Sequence, residues 1–168
     1  LRERLKPALP WIVGGWAAGA SMLLLRLLAG WAWLQRLRRR CAQPVPQAWR
    51  ERFARLTRRM GLRKEPRLGL CDALEGPMAQ GLWRPMVLLP TALLSGLDPD
   101  LLEALLAHEL AHILRRDYLA NLLQCLCETL LFYHPAVWWI SARIRSTREE
   151  ACDDLAARTL GEPRRLAL

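Results

Sequence analysis

The longest apolar stretch of this chain lies near its start, from Trp11 to Leu34. As a helix it would run about 36 Å against a hydrocarbon core of about 30 Å, so it is predicted to cross a membrane. Trp11 and Trp16 near one end, and Trp31 and Trp33 near the other, suit the two interfaces. Arg26 is the single interior charge; its cost of roughly 2.5–3.5 kcal/mol is offset by the surrounding leucines. A secretory signal would end in a small-residue cleavage site. Here Gln35-Arg36-Leu37-Arg38-Arg39-Arg40 follows instead.

The pattern then changes. Pro44 and Pro46 read as a linker, after which Trp49, Phe53, Leu56 and Met60 recur at helical spacing among Arg50, Arg52, Arg55, Arg58 and Arg59. This amphipathic helix is expected to lie against the acidic inner leaflet. Leu68 to Pro90 reads as short strands and turns, with Met86–Leu89 a compact strand and Met78 to Trp83 its partner. A helix starts at Asp98, a capping residue, with Pro99 in the first helical position and Asp100 at the positive helix end, and runs to Arg116. Leu119 to Ile140 is a second apolar run, broken at His134-Pro135 because proline disfavours a helical residue before it. A last helix is expected over Trp138 to Thr159. The predicted fold is mostly α with a small β element: residues 1–40 form the transmembrane helix with basic flanks, and residues 41–168 form a separate domain.

The chemistry sits in the Asp98 helix. His108-Glu109-Leu110-Ala111-His112 reads H-E-x-x-H. At about 100° per residue, His108 and His112 share a face one turn apart and can bind one Zn²⁺. Glu109, beside the first ligand, can take a proton from an attacking water. The pattern points to a zinc hydrolase, most often a peptidase. Catalytic zinc takes three protein ligands, and the chain has only three histidines. The candidates for the third ligand are His134 and the acidic residues downstream, among which Arg148-Glu149-Glu150-Ala151-Cys152-Asp153-Asp154 stands out. Glu149 is the favoured ligand, and Asp153, one turn on, can accept the free N–H of a ligating imidazole. Glu150 is the fallback, about 100° away. His134 is a candidate to orient substrate, stabilise an oxyanion or pack structurally; Arg148 is a second candidate for the oxyanion.

That geometry constrains Leu119–Ile140. His108 and His112 precede the run and Glu149 follows it, so a single membrane crossing would separate the ligands. The run is read as two helices, turning at Tyr133-His134-Pro135, that lie in the domain core or dip into the near leaflet. Trp138 and Trp139 would touch lipid or the core.

Composition adds direction. The chain has 168 residues, is 52% hydrophobic and carries a formal net charge of +9. Arg36, Arg38, Arg39 and Arg40 after the span outnumber Arg2, Arg4 and Lys6 before it by one, which places the domain in the cytosol. Five cysteines in odd number, with no C-x-x-C pair, suit a reducing compartment and form neither a disulfide framework nor a zinc site. Despite the basic charge, no zinc-finger spacing, reading helix or aromatic platform for nucleic acid is present. The partners expected are a protein substrate and the lipid bilayer.

Gly81-Leu82-Trp83-Arg84-Pro85-Met86-Val87-Leu88-Leu89-Pro90, the H-E-x-x-H pentad, Arg115-Arg116-Asp117, Asn121, Phe132-Tyr133-His134-Pro135, Trp138 and Arg148 to Asp153 together resemble the BlaR/MecR-type membrane metallopeptidases. The resemblance runs from about Leu9 to Leu160. It implies an integral-membrane zinc endopeptidase of the bacterial cell membrane with a cytosolic gluzincin-like domain, with His108, His112 and Glu149 on zinc and Glu109 as general base. In the sensor members an outer domain binds β-lactam and the peptidase removes a transcriptional repressor. This chain has no such outer domain and no further span, and it begins at Leu1, so it is expected to be a fragment. The rival class is a membrane signalling receptor whose metal site is structural.

Overall fold

A computed structural model describes residues 8–40, 44–81 and 84–161. Arg2, Arg4, Lys6, Cys41, Leu82, Trp83, Arg164 and Arg165 lie outside them. The apolar N-terminal stretch forms one helix, α1 (Leu9–Arg40). It has the length and composition to cross a membrane, and along most of its length it is exposed, Trp11, Met22 and Trp33 among the residues in the open. At its basic end Leu37 is buried and the Arg38 guanidinium donates to the Arg84 carbonyl.

Six further helices and strands build the core: α2 (Gln47–Arg59), β1 (Arg67–Leu70), β2 (Met78–Gln80), β3 (Met86–Leu89), a short α3 (Thr91–Gly96) and α4 (Pro99–Arg115). β3 lies in the middle of a three-stranded sheet, parallel to β1 and antiparallel to β2. A central strand covered on both faces needs side chains of one kind throughout, and Met86, Val87, Leu88 and Leu89 are all buried. The third strand, β1, and the helix α3 were not individually visible in the sequence pattern.

α4 is the helix on which the rest packs. Leu102, Leu106, Ala107, Leu110 and Ala111 are buried, in one cluster with Phe53, Leu56, Val87, Leu89 and Cys152. It starts where Asp98 Oδ1 accepts the Asp100 backbone N–H at 2.8 Å, with Pro99 in the first helical position. It ends at Arg116, whose φ of 59° is left-handed. That one residue also opens the next helix, α5 (Asp117–Leu130), so the predicted run through Arg116 breaks there. The chain turns after Leu131 and returns as α6 (Pro135–Leu160), which ends at Gly161 with φ 78°.

Two expectations are corrected. The stripe of α2 does not face lipid: Phe53, Leu56 and Met60 are in the core, against α4, and Trp49 packs on its margin. The helical periodicity is the same for either neighbour, so the sequence pattern could not choose between them. Cys71 is disulfide-bonded, while Cys125, Cys127 and Cys152 are free; spacing along a chain does not say which sulfurs meet in space.

If α2 belongs to the core, Phe53→Ala should destabilise the protein by about 3–5 kcal/mol. The thermal unfolding midpoint in detergent measures this. An unchanged midpoint would return the α2 stripe to the membrane surface.

Candidate metal centre

α4 presents two of the predicted ligands and α6 brings the third. The rings of His108 and His112 meet edge to face, with centroids 4.8 Å apart, and their Nε2 atoms are separated by 3.1 Å. Glu149 Oε2 lies 3.4 Å from His108 Nε2 and 3.6 Å from His112 Nε2. Bonds of about 2.0–2.1 Å to a tetrahedral ion set its ligand atoms roughly 3.3–3.4 Å apart. The triangle is thus the size a zinc ion needs.

The far sides of the two rings fix where their lone pairs point. Asp153 Oδ1 lies 2.8 Å from His108 Nδ1, and Asp117 Oδ2 lies 2.9 Å from His112 Nδ1. A carboxylate can only accept, so Nδ1 carries the proton in both rings and each Nε2 offers a lone pair to the centre. Two imidazole lone pairs and a carboxylate oxygen then converge on one point. Such a set repels itself unless a cation lies between its members, so the residues present fit a divalent metal.

Glu109 stands beside this triangle on the buried side of α4. Burial pushes its carboxyl above the usual carboxylate range; His112, His108 and a hydrogen bond from the Ala79 backbone pull it partly back. Ala79 belongs to β2, the edge strand. β2, Glu109, His112, Arg148 and Glu149 line one cleft of about 380 Å³. Arg148 Nη1 donates to the Asp117 carbonyl at 3.3 Å, and its Nε is buried with no partner among the described residues.

The other predicted residues sit elsewhere. Glu150 is exposed and accepts from the Ser146 hydroxyl at 3.0 Å. His134 caps α6, its Nδ1 accepting the Ala136 backbone N–H at 3.2 Å. Fifteen residues of helix separate it from Glu149, about 22 Å. His108, Glu109, His112, Glu149 and Asp153 are together; His134 is not among them.

Asp117 and Cys152 are the members that sequence reasoning missed. Asp117 follows His112 by five residues, which a continuous helix would place well round the axis. The left-handed Arg116 breaks the helix and turns Asp117 back on to the His112 ring. The Cys152 thiol donates to the same carboxylate at 3.3 Å. Burial, then that hydrogen bond, push its pKa up to about 12. His112, Asp117 and Cys152 form a second group of metal-type donors, but they share the back of a ring already in the first.

Asp117→Ala and Asp153→Ala should each weaken metal binding by about 10–100-fold, the usual effect of losing a group that orients a ligand. Glu150→Ala should leave it unchanged. Competition against a chromogenic chelator reads all three. Neutral Cys152 should also resist iodoacetamide at pH 8 in the folded chain, where exposed Cys127 reacts; equal labelling would contradict its buried, protonated state.

Known proteins place the chain. It is 32% identical over 87 residues to the regulatory protein BlaR1 of Bacillus licheniformis, a match covering 52% of this chain and 14% of that protein. It is 35% identical over 104 residues to a protease HtpX homolog from the same organism, covering 56% of this chain and 34% of the other. It is 25% identical over 80 residues to the methicillin resistance mecR1 protein of Staphylococcus aureus, covering 48% and 14%. The chain therefore spans about a third or less of the length of these curated relatives. A family model described as BlaR1 peptidase M56 matches residues 6–166; the chain belongs to this family of membrane-associated peptidases.

Proposed function

We propose that this chain carries the catalytic part of a zinc-dependent endopeptidase, held at the bacterial cell membrane by α1, that cleaves a cytosolic protein. The observation that carries this reading is Glu109: a buried carboxylate, held by an edge-strand amide, beside a triangle of metal-type donors. A metal site that only braces a receptor has no use for such a group.

Zinc held by His108, His112 and Glu149 would supply a Lewis acid for the scissile carbonyl and make water acidic enough to ionise near neutral pH. The remaining chemistry belongs to the chain. An extended peptide can run along the outer edge of β2, whose backbone offers affinity without much demand on sequence. Glu109 removes a proton from the attacking water and delivers it to the leaving amine nitrogen. The raised carboxyl pKa favours the first of these transfers, because a more basic carboxylate takes the proton from water more readily. Arg148, which lines the same cleft, balances negative charge developing on the carbonyl oxygen. His134 takes no part.

The relatives named for regulation and methicillin resistance suggest that the substrate is a regulatory protein, with a transcriptional repressor the first to test. The basic end of α1, from Arg36 to Arg40, supports a cytoplasmic site. The disulfide at Cys71 is uncommon in that compartment, so a reporter fusion after Thr159 is the direct check: cytoplasmic signal is expected, and an extracytoplasmic one would move the substrate outside the cell.

The decisive enzymological test separates metal from base. Glu109→Gln should keep about one zinc per chain and lose proteolysis by at least about 100-fold, since an amide cannot accept the proton. Glu149→Ala should lose the zinc itself. Full turnover in Glu109→Gln, or zinc retained by His108→Ala with His112→Ala, would refute the respective assignment.

A further inference from the structure

The α5–α6 turn is uncharged, uncovered and pressed against α1. Between Glu128 and Arg143 there is no Asp, Glu, Lys or Arg. Within this stretch Leu130, Leu131, Tyr133, Trp138, Trp139 and Ile140 are all exposed, Trp139 to 72%. An exposed apolar tip of that size on a water-soluble lobe would be a liability.

Its position along α1 is fixed by contacts. The Trp16 indole N–H donates to the Leu130 carbonyl at 3.0 Å. Gly19 faces Phe132 so closely that a Cβ there would lie 2.6 Å from the ring. At the other end of the pair, Leu34 and Tyr118 line one apolar groove. α5 therefore runs antiparallel beside α1, and its tip lies at the level of Trp16–Gly19, about 22–27 Å of helix from Leu34. If α1 crosses a bilayer, the tip cannot stay in water while its α1 neighbours stand in hydrocarbon.

The backbone of the turn is provided for accordingly. Irregular backbone cannot face hydrocarbon with open hydrogen-bonding groups. Here the Leu131 N–H reaches the Cys127 carbonyl and the His134 N–H the Leu131 carbonyl, both at 2.9 Å. The Phe132 carbonyl takes the Trp138 indole N–H at 2.8 Å, and His134 Nδ1 takes the Ala136 N–H. Two indoles and an imidazole thus serve groups that water would serve in a soluble loop. Behind the tip, Glu128 and Arg145 pair at 2.8 Å.

We infer that residues 130–140 form a re-entrant tip seated among lipid acyl chains beside α1, so that the domain grips the bilayer at two places. This rests on α1 being a span. The test is nitroxide accessibility in phosphatidylcholine–phosphatidylglycerol vesicles, with the label on a ketone-bearing residue introduced at Leu131, Tyr133 or Trp139. That attachment leaves the native cysteines untouched. Met22, 74% exposed on α1, reports the span, and Glu150 the aqueous domain. The expected result is oxygen accessibility several-fold above that to a water-soluble nickel chelate at the three tip positions and at Met22, and the reverse at Glu150. Nickel-accessible tip positions with a lipid-like Met22 would overturn the inference alone. Low accessibility to both agents at the tip would mean that protein covers it, and overturns it equally. A nickel-accessible Met22 would instead remove the span.

Discussion

Three lone pairs are held pointing at one another, and much of the fold exists to keep them there. Two imidazole nitrogens and a carboxylate oxygen within 3.6 Å of each other repel when nothing positive lies between them. Holding them requires rigid supports. α4 supplies the first by being the most buried helix, with apolar neighbours on several sides. α6 supplies the second by packing along α4 from Cys152 to Ala156 in the same core. The carboxylates of Asp153 and Asp117 then fix both ring orientations from behind. Neither ring can rotate without losing a charge-assisted hydrogen bond.

Charge is distributed with the same economy. Asp117 receives the His112 ring, the Cys152 thiol and, at 3.5 Å, the Arg115 guanidinium. Keeping Cys152 protonated matters here. A thiolate against Asp117 would put two anions behind one imidazole, whereas the neutral thiol adds a donor. Glu109 is handled oppositely: burial raises its proton affinity, and the two histidines and the Ala79 amide offset only part of that rise.

Helical phase made most of this site legible. His108, His112, Glu149 and Asp153 follow from residues one turn apart on two helices, and β3 from its unbroken apolar run. What escaped depended on departures from regular phase or on a choice of neighbour. Asp117 needed a left-handed residue that no propensity assigns to arginine. The α2 stripe had the right period, but period does not distinguish a protein core from a leaflet. The sequence leaves His134 open between substrate, oxyanion and structural roles, and the structure uses it as a helix cap, a task that the following proline suits. The disulfide at Cys71 was hidden because sulfur pairing depends on tertiary approach.

Arg116 has a consequence for how this chain can change. A left-handed, non-glycine residue carries a strain of about 1–2 kcal/mol, and its place between α4 and α5 sets the separation of His112 and Asp117. Adding or removing one residue there would change the direction in which α5 leaves α4, taking away the His112 support and shifting the α5–α6 hairpin about α1 in one stroke. Loops elsewhere, such as that between β1 and β2, can lengthen without disturbing the centre. This junction cannot, so insertions and deletions should be tolerated almost anywhere sooner than between the second histidine and the aspartate that holds it.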